Sequence, residues 1–166
     1  MSRDLPDQID IWRMVSGRRC FAGELSLSAL PRLRSSLAEQ DGSVRFELEF
    51  DTDEFDQAYA EMRVRGELPL VCQRTLEVYR QPVAVSMRLG LIRREEQEAA
   101  LPPGYEPFLV PADGMVAPAD LIEDELILAL PLVPARPDSV VAERVDDGEA
   151  SERPNPFAAL KSLRLQ

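Results

Sequence analysis

The chain contains no histidine, and this absence removes several kinds of chemistry. Ser-His-Asp and Cys-His catalytic sets need an imidazole, as do histidine-ligated zinc sites and imidazole general bases. An enzyme built from these 166 residues would depend on carboxylates, on Lys161, which is the single lysine, or on a bound cofactor.

Cysteine is almost as scarce, since Cys20 and Cys72 are the only two. They are too few for a disulfide scaffold, and a chain of this length can bury about 70% of its unfolded surface without one. We expect both thiols to stay reduced. Cys72 lies on the inward side of a predicted strand, which indicates a core thiol, and zinc would need three or four ligands. No metal or other cofactor is therefore expected.

Long apolar runs are missing as well, because no segment approaches the ~20 apolar residues that a membrane helix needs. The first ten residues, MSRDLPDQID, lack the basic flank and the apolar core of a secretion signal. These two absences predict a cytoplasmic protein without membrane contact. The sequence leaves the oligomeric state open.

Positive charge is in deficit, with a formal net charge of −11. From Leu101 onward there are five basic and twelve acidic residues, whereas the first hundred residues contain 14 arginines. Wrapping of duplex nucleic acid normally rests on a basic surface, so this balance argues against it. A local basic patch stays compatible with the sequence, and an acidic chain would also suit docking on a basic protein such as a ribosomal protein.

Three segments alternate apolar and polar residues with the period of two that a strand requires. They are SVRFELEF (43–50), YAEMRVRGELPLVCQ (59–73) and VAVSMRLGLI (83–92). One polar, wet side per strand is typical of an antiparallel sheet, and the short loops favour a meander or a small open β-barrel. Gly66 and Pro69 indicate a bulge or an edge in the second strand.

Helices are predicted on both sides of these strands, which makes the fold class α+β. SALPRLRSSLAEQDG (28–42) begins with Ser28 as an N-terminal cap, and APADLIEDELILALPLVP (117–134) predicts a core helix from near Pro118 to just before Pro131. The apolar face of this second helix comprises Leu121, Ile122, Leu126, Leu128, Ala129 and Leu130. Three weaker patterns predict a strand, a turn and an extended piece over 9–27, a short surface helix over 93–101, and a short strand at Phe108–Val110.

The composition divides the chain into one folded unit and a tail. We expect a single domain over 1–134, a flexible acidic linker over 135–153, which is rich in charge and poor in apolar residues, and a short C-terminal helix or docking motif over 154–166. There is no internal repeat and no glycine-rich phosphate loop.

A set of arginines on the predicted strands is the strongest candidate for nucleic-acid contact. Arg63 and Arg65 share the outward side of one strand, Arg88 lies outward on the next, and Arg74 and Arg80 bracket the turn between them. Tyr79 beside them is a candidate for stacking on a base. The alternative is a solvated sheet face in which these arginines alternate with glutamates.

Consecutive carboxylates at Glu123, Asp124 and Glu125 are the strongest candidate for catalysis. They would hold magnesium in a phosphodiesterase. Successive residues of a helix point in different directions, however, and acids in the first turns suit the helix dipole, so a structural or solvated role is favoured. The run DTDEFD (51–56) lacks the glycine and the terminal glutamate of a calcium loop and is interpreted as an acidic loop.

Four segments taken together resemble one known family. LVCQRTLEVYRQPV (70–83), ALPPGYEPFLV (100–110), DLIEDELILALPLVP (120–134) and RPNPFAALKSL (153–163) are similar, in order and spacing, to the YceD family of bacterial proteins. That family is associated with accumulation of the large-subunit ribosomal RNA. The resemblance spans roughly Leu68 to Leu163 and implies a cytoplasmic factor for synthesis, processing or stability of this (23S) RNA.

The resemblance also bears on Cys72. Members of the family usually have C-x-x-C where this chain has Cys72 and Thr75, and many have further cysteines after LPLVP, which implies a zinc-ribbon-like site in those members. This chain lacks the partner cysteines, so zinc is expected to be absent here. Arg74 matches the arginine between the family's cysteines, and the terminal motif is matched by Pro154, Asn155, Pro156 and Phe157. These five residues are further candidates for contact.

The leading hypothesis is therefore a non-enzymatic ribosome-biogenesis factor. Its partners would be precursor large-subunit rRNA, a ribosomal protein or an assembly protein. The alternatives are a metal-dependent phosphodiesterase that trims precursor rRNA through carboxylates, and a protein adaptor that acts through the C-terminal helix.

Overall fold

The computed structural model describes residues 5–138, and its core is a five-stranded sheet. The strands, in chain order, are β1 (Ile9–Asp10), β2 (Cys20–Ser26), β3 (Ser43–Thr52), β4 (Ala58–Val71), β5 (Val78–Ile92), β6 (Glu106–Leu109) and β7 (Met115–Val116). The α-helices are α1 (Ile11–Ser16) and α2 (Pro118–Leu128). Three short 3₁₀ helices cover Leu27–Ala29, Leu33–Ser36 and Glu95–Ala100.

The main sheet has the strand order β2-β3-β4-β5-β6, and β1 pairs separately with β7. Neighbouring strands from β2 to β5 are antiparallel and consecutive, so the predicted meander is present. β6 pairs with β5 in parallel, which makes the sheet mixed, and the described strands do not close into a barrel. The α+β class predicted from the sequence is confirmed.

Alternation along the strands decides which side of the sheet is buried. Val44, Phe46, Leu48 and Phe50 of β3 are at most 2% exposed, while the residues between them face solvent. Every second residue of β4, from Ala60 onward, continues the same buried layer except where Gly66 intervenes. β2 and β5 add further buried side chains to this layer, and α1, α2 and the first two 3₁₀ helices pack against it. The opposite side of the strands is therefore a broad polar surface.

The residues that interrupt the pattern of β4 mark an edge and not a bulge. The pairing of β3 with β4 stays in continuous register and ends at Val44 opposite Gly66. A Cβ atom on Gly66 would lie 2.7 Å from Val44 Cγ1, so this close approach requires glycine. Pro69 lies beyond the end of β3, where no ladder partner needs its missing N–H, and its carbonyl accepts from the Ala38 amide at 2.8 Å.

The predicted strand near residue 11 is wrong, because the chain forms α1 there. The side chain of Asp10 accepts hydrogen bonds from the amides of Trp12 and Arg13 at 3.0 and 3.1 Å. These bonds satisfy two of the free amides of a first helical turn, which is the action of an N-terminal cap. The extended piece predicted after the turn is present as β2.

The predicted helix over 28–42 is also wrong, and Pro31 explains the difference. A proline disfavours helical angles in the residue before it, and Leu30 has a φ of −111° and a ψ of 84°. The segment therefore breaks into the 3₁₀ helices Leu27–Ala29 and Leu33–Ser36. The cap is Ser26 and not Ser28. The buried leucines of the segment are still core residues.

The elements from residue 93 to the end of the described chain agree better with the predictions from the sequence. α2 begins at Pro118 as predicted and buries Leu121, Ile122 and Leu126. Leu128 is 76% exposed and Ala129, beyond the last helical residue, is exposed too, so neither belongs to the apolar face. The predicted surface helix over 93–101 is the 3₁₀ helix Glu95–Ala100, and the short strand predicted at Phe108–Val110 is β6. No helix within residues 5–138 is long and apolar enough to cross a membrane.

The tail predictions fall largely outside the described residues. Residues 139–153 of the expected linker and the whole expected docking motif, 154–166, lie there. The described beginning of the linker contacts the turn between β4 and β5. Within the linker, the Arg136 side chain donates to Glu77 at 3.1 Å. Just before it, the carbonyl of Pro134, the last residue of the expected domain, accepts from the Gln73 amide at 2.8 Å.

Candidate binding surface

The polar face of the sheet is organised in rows that run across four strands. Residues paired between neighbouring strands lie side by side on one face, so the ladder register defines each row. The three central rows, from β2 to β5, are Glu24–Arg45–Arg65–Ala84, Ala22–Glu47–Arg63–Ser86 and Cys20–Glu49–Glu61–Arg88. These rows contain four arginines and four glutamates, so the face is balanced in charge.

Most of these arginines are engaged by carboxylates on the same strand or on a neighbouring strand. Arg88 Nη2 lies 2.7 Å from Glu61 Oε2, Arg63 pairs with Glu61 and with Glu47 at 3.6 Å, and Arg45 Nε lies 3.1 Å from Glu24 Oε1. The hydrogen bond from Arg88, followed by the charge of Arg63, lowers the pKa of the Glu61 carboxyl. The predicted basic stripe is therefore largely neutralised, as the alternative of a solvated face with interleaved glutamates requires.

Arg65 differs from its neighbours because it has no ion pair with any other residue of the described chain. It is exposed and lies directly opposite Arg45 in the ladder. A shallow, open concavity surrounds it, with Glu24 and Arg45 among its lining residues. Arg65 is thus the arginine of this face that is most available to an anionic group on a partner.

Arg88 is held by aromatic rings as well as by Glu61. Its guanidinium carbon lies 4.6 Å from the centre of the Tyr59 ring and 5.5 Å from that of Tyr105. The Tyr105 hydroxyl donates to Asp53 Oδ2 at 2.9 Å. The hydrogen bond to Glu61 raises the pKa of Arg88 further above its usual range. Arg88 therefore joins β4 to the loop before β6, and its contacts are mainly structural.

The structure brings only part of the predicted contact set together. Arg63, Arg65 and Arg88 lie in three consecutive rows. Arg74 lies in the β4–β5 turn beyond Val71, at least six residues along β4 from Arg65, which is about 20 Å at the rise of a strand. Pro154, Asn155, Pro156 and Phe157 lie outside the described residues.

Tyr79 does not present a ring for stacking. It is 7% exposed, lies opposite Leu70 on the buried side of the sheet, and donates its hydroxyl proton to Gln81 Oε1 at 3.2 Å. The sequence contained this signal, because Tyr79 has the same parity as Val83 on the inward side of the strand. Tyr79 therefore leaves the candidate contact set.

Cys72 begins the β4–β5 turn, and its backbone hydrogen bonds span the turn. Its side chain is buried, its amide donates to the Glu77 carbonyl at 2.9 Å, and its carbonyl accepts from the Leu76 amide at 2.8 Å. The sulfur accepts from the Arg136 amide at 3.4 Å. This bond and further bonds from Thr75 and Arg74 lower the pKa of the thiol to about 6. The core position predicted for Cys72 is therefore present, but the thiol is strongly acidic.

The residues present do not fit a zinc site at this turn. Thr75 supplies a hydroxyl where a second thiolate would be needed, and Cys20 lies on the polar face while Cys72 lies on the buried one. Within residues 5–138 no three cysteine or acidic side chains cluster as metal ligands. The Thr75 hydroxyl and the amides of the turn instead act as hydrogen-bond donors to the sulfur.

We expect this turn to make stability depend on pH. The Cys72 pKa is lowered in the fold, so the unfolded chain binds more protons between about pH 6 and the ordinary thiol pKa of ~8.5. Stability should therefore rise with pH across this window and lose that gain as the pH falls toward 6. Urea unfolding of the reduced protein at pH 6 and pH 8.5 measures the change. Cys72→Ala should remove the rise and Cys20→Ser should keep it; a rise that survives in Cys72→Ala contradicts this assignment.

The consecutive carboxylates of α2 have three different environments. Glu123 is 1% exposed and accepts from the Arg32 amide at 2.6 Å, the Leu33 amide at 2.9 Å and Arg32 Nε at 2.9 Å. Asp124 is half-exposed and pairs with Arg32 Nη1 at 2.5 Å. Burial raises the pKa of Glu125. Glu123 and Asp124 both bind the guanidinium of Arg32, and within residues 5–138 the three carboxylates form no cluster of metal ligands, so the geometry gives no magnesium clamp.

The class of protein defined by these features is an α+β protein with a charge-balanced sheet face and no clustered metal ligands in the described chain. Residues 60–164 match the model of the family described as large ribosomal RNA subunit accumulation protein YceD. The chain is also 30% identical, over 96% of both sequences, to the Haemophilus influenzae protein named large ribosomal RNA subunit accumulation protein YceD. The chain therefore belongs to the YceD family. No solved structure matches it.

Proposed function

We propose that this protein supports accumulation of the large-subunit ribosomal RNA as a cytoplasmic, non-catalytic binding factor whose polar sheet face docks on a ribosomal or assembly protein. The name of the Haemophilus influenzae relative supplies the process. The observation that favours a protein partner is the balance of four arginines and four glutamates across the three central rows, within a chain of net charge −11. Phosphate binding gains its affinity from an excess of cations, and on this face the arginines do not outnumber the glutamates.

A protein partner fits the face for a second physical reason. Charges that are already arranged in cross-strand pairs favour a partner with a matching alternating pattern, and such matching contributes mainly to specificity and to the rate of association. Arg65 provides an unpaired cation among the residues that line the concavity, where a carboxylate of the partner can bind.

A catalytic role has less support. The phosphodiesterase alternative needs carboxylates that share a metal, whereas Glu123 is occupied by two amides and Arg32. Multiple turnovers on precursor rRNA in the presence of magnesium, lost in Glu125→Gln, would favour that alternative over the binding factor.

We expect reversal of the arginines on this face to impair function. In cells that lack the endogenous copy, the wild-type chain should restore the ratio of large-subunit to small-subunit rRNA. The triple variant Arg45→Glu, Arg63→Glu and Arg65→Glu should fail to do so, because all three positions lie on this face and each glutamate repels the partner's carboxylates. The binding of purified protein to large-subunit rRNA fragments at low salt should change little.

The matched control reverses three exposed arginines away from this face, at Arg13, Arg34 and Arg94. It alters the net charge by the same amount and should restore the rRNA ratio as well as the wild type does. Equal failure of both triple variants would show that total charge matters and would remove the sheet face from the proposal. A large loss of affinity for rRNA fragments in the first variant alone would assign the face to RNA.

A further inference from the structure

A set of exposed apolar side chains lies where β4 turns into β5. Val71 and Val78 form the last ladder pair, and Leu76 lies in the turn. Leu132 and Val133 lie on the segment whose Pro134 carbonyl accepts the Gln73 amide at 2.8 Å. These five side chains, the hairpin-tip set, range from 37% to 102% exposed. They make up five of the eight large apolar residues that are exposed within residues 5–138.

Leu76 is an unusual choice for its position. Its φ is 59°, in the left-handed region where glycine or asparagine is the ordinary residue, and its side chain is 76% exposed. An apolar side chain that is both disfavoured by its backbone and left in water contributes nothing to the described fold. Its position is accounted for if another apolar segment covers it.

The described part of the chain ends at this same place. The Arg136 amide donates to Cys72 Sγ at 3.4 Å and its guanidinium to Glu77 Oε2 at 3.1 Å, so residue 138 lies beside the turn. The remaining sequence, 139–166, therefore starts next to the hairpin-tip set.

The sequence between Asp138 and Phe157 is long enough for residues 154–166 to reach the hairpin-tip set. Eighteen residues, 139–156, separate Asp138 from Phe157 in the sequence. The average end-to-end distance of a random coil of 18 residues is about 25 Å. The opposite end of β4 is about 45 Å away at the rise of a strand, beyond that average span. Tethering at such short range gives an effective concentration on the order of millimolar, so a weak contact is enough for occupancy.

The composition of residues 154–166 is suited to binding the apolar hairpin-tip set. The sequence PNPFAALKSLRLQ has apolar residues at Phe157, Leu160 and Leu163, contains no acidic residue, and carries Lys161 and Arg164 in a chain of net charge −11. The family match also extends over residues 60–164, which include both the hairpin-tip set and nearly all of this segment. We propose that residues 154–166 dock on the hairpin-tip set of the same chain, with Leu76 at the centre of the contact.

Amide hydrogen exchange of the full chain tests this docking. The double variant Phe157→Asp and Leu160→Asp should speed exchange of the amides over 71–78 about ten-fold, because a tethered contact slows opening by roughly the ratio of effective concentration to dissociation constant. Exchange over 53–57, in the β3–β4 turn at the other end of β4, should not change. The control Ser162→Asp and Gln166→Asp adds the same charge at polar positions of the segment and should behave as the wild type.

The reciprocal variant is Leu76→Asp, which the left-handed backbone tolerates better than leucine. It should speed exchange of the amides over 157–164 while the unfolding midpoint stays close to that of the wild type. Exchange over 71–78 that is equal in all variants would overturn the proposal. So would protection over 71–78 that falls on dilution, which would place a second copy of the chain on the set, or protection that responds equally to the control variant.

Discussion

Replacement of Glu123 by alanine should lower the free energy of unfolding by about 3 kcal/mol, although the residue lies in a run of helical acids that resembles a solvated surface. Its carboxylate is 1% exposed and accepts from the amides of Arg32 and Leu33 as well as from Arg32 Nε. Alanine would leave two amides at a buried site without an acceptor. Urea unfolding of the wild type and the variant measures the difference.

Two substitutions test whether the buried hydrogen bonds of Glu123, and not negative charge alone, stabilise the fold. Glu123→Gln keeps a side-chain oxygen for the amides and should lose less stability than Glu123→Ala. Asp124→Asn removes the neighbouring, half-exposed partner of Arg32 and should change stability by less than about 0.5 kcal/mol. A Glu123→Ala protein as stable as the wild type but defective in function would contradict the structural role and would restore the hypothesis of a catalytic carboxylate.

Replacement of Phe50 by alanine should destabilise the protein by about 3–5 kcal/mol. The ring is fully buried at the end of β3 and packs edge-on against Phe21, with ring centres 6.4 Å apart. Removing it leaves a cavity that the surrounding strands cannot close, because β3 is paired on both sides. Thermal and urea unfolding should both show the loss.

Phe55 provides the matched control in the next turn. It is the same residue type, five positions later, and is 76% exposed. Phe55→Ala should change stability by no more than about 0.5 kcal/mol. Similar losses in both variants would contradict the assignment of the buried face of β3.

The sequence predicts the central strands well because their signal is local. Each of β3, β4 and β5 alternates over many residues, and a period of two cannot be mistaken for a helical period over such lengths. The same holds for α2, whose start at Pro118 follows from the preference of proline for a first helical turn.

The errors in the first 42 residues come from weak signals that compete. A cap at Asp10 decided the conformation of a six-residue segment that is rich in β-branched and aromatic side chains. Pro31 lies at the fourth position of the segment predicted as a helix, and its effect on Leu30 prevailed over the helical spacing of the leucines. The parallel pairing of β6 depends on how a loop returns to the sheet, which the alternation of four residues does not specify.

The candidate surface was only half predictable for a related reason. The outward side of Arg63, Arg65 and Arg88 follows from alternation within each strand. Their neutralisation by Glu47 and Glu61 depends on the register between strands, which alternation alone does not set. The contact of Glu123 with Arg32 joins residues 91 positions apart and has no signal in either local segment.

A capture experiment with the full-length chain tests the central claim, that the sheet face docks on a protein, most directly. The tagged chain is recovered from cells, treated with ribonuclease and analysed for bound proteins. The account predicts that ribosomal or assembly proteins stay bound to the wild type and to the Arg13, Arg34 and Arg94 variant, and are lost from the Arg45, Arg63 and Arg65 variant. Release of every partner by ribonuclease, with direct binding of the purified wild type to large-subunit rRNA, would contradict it.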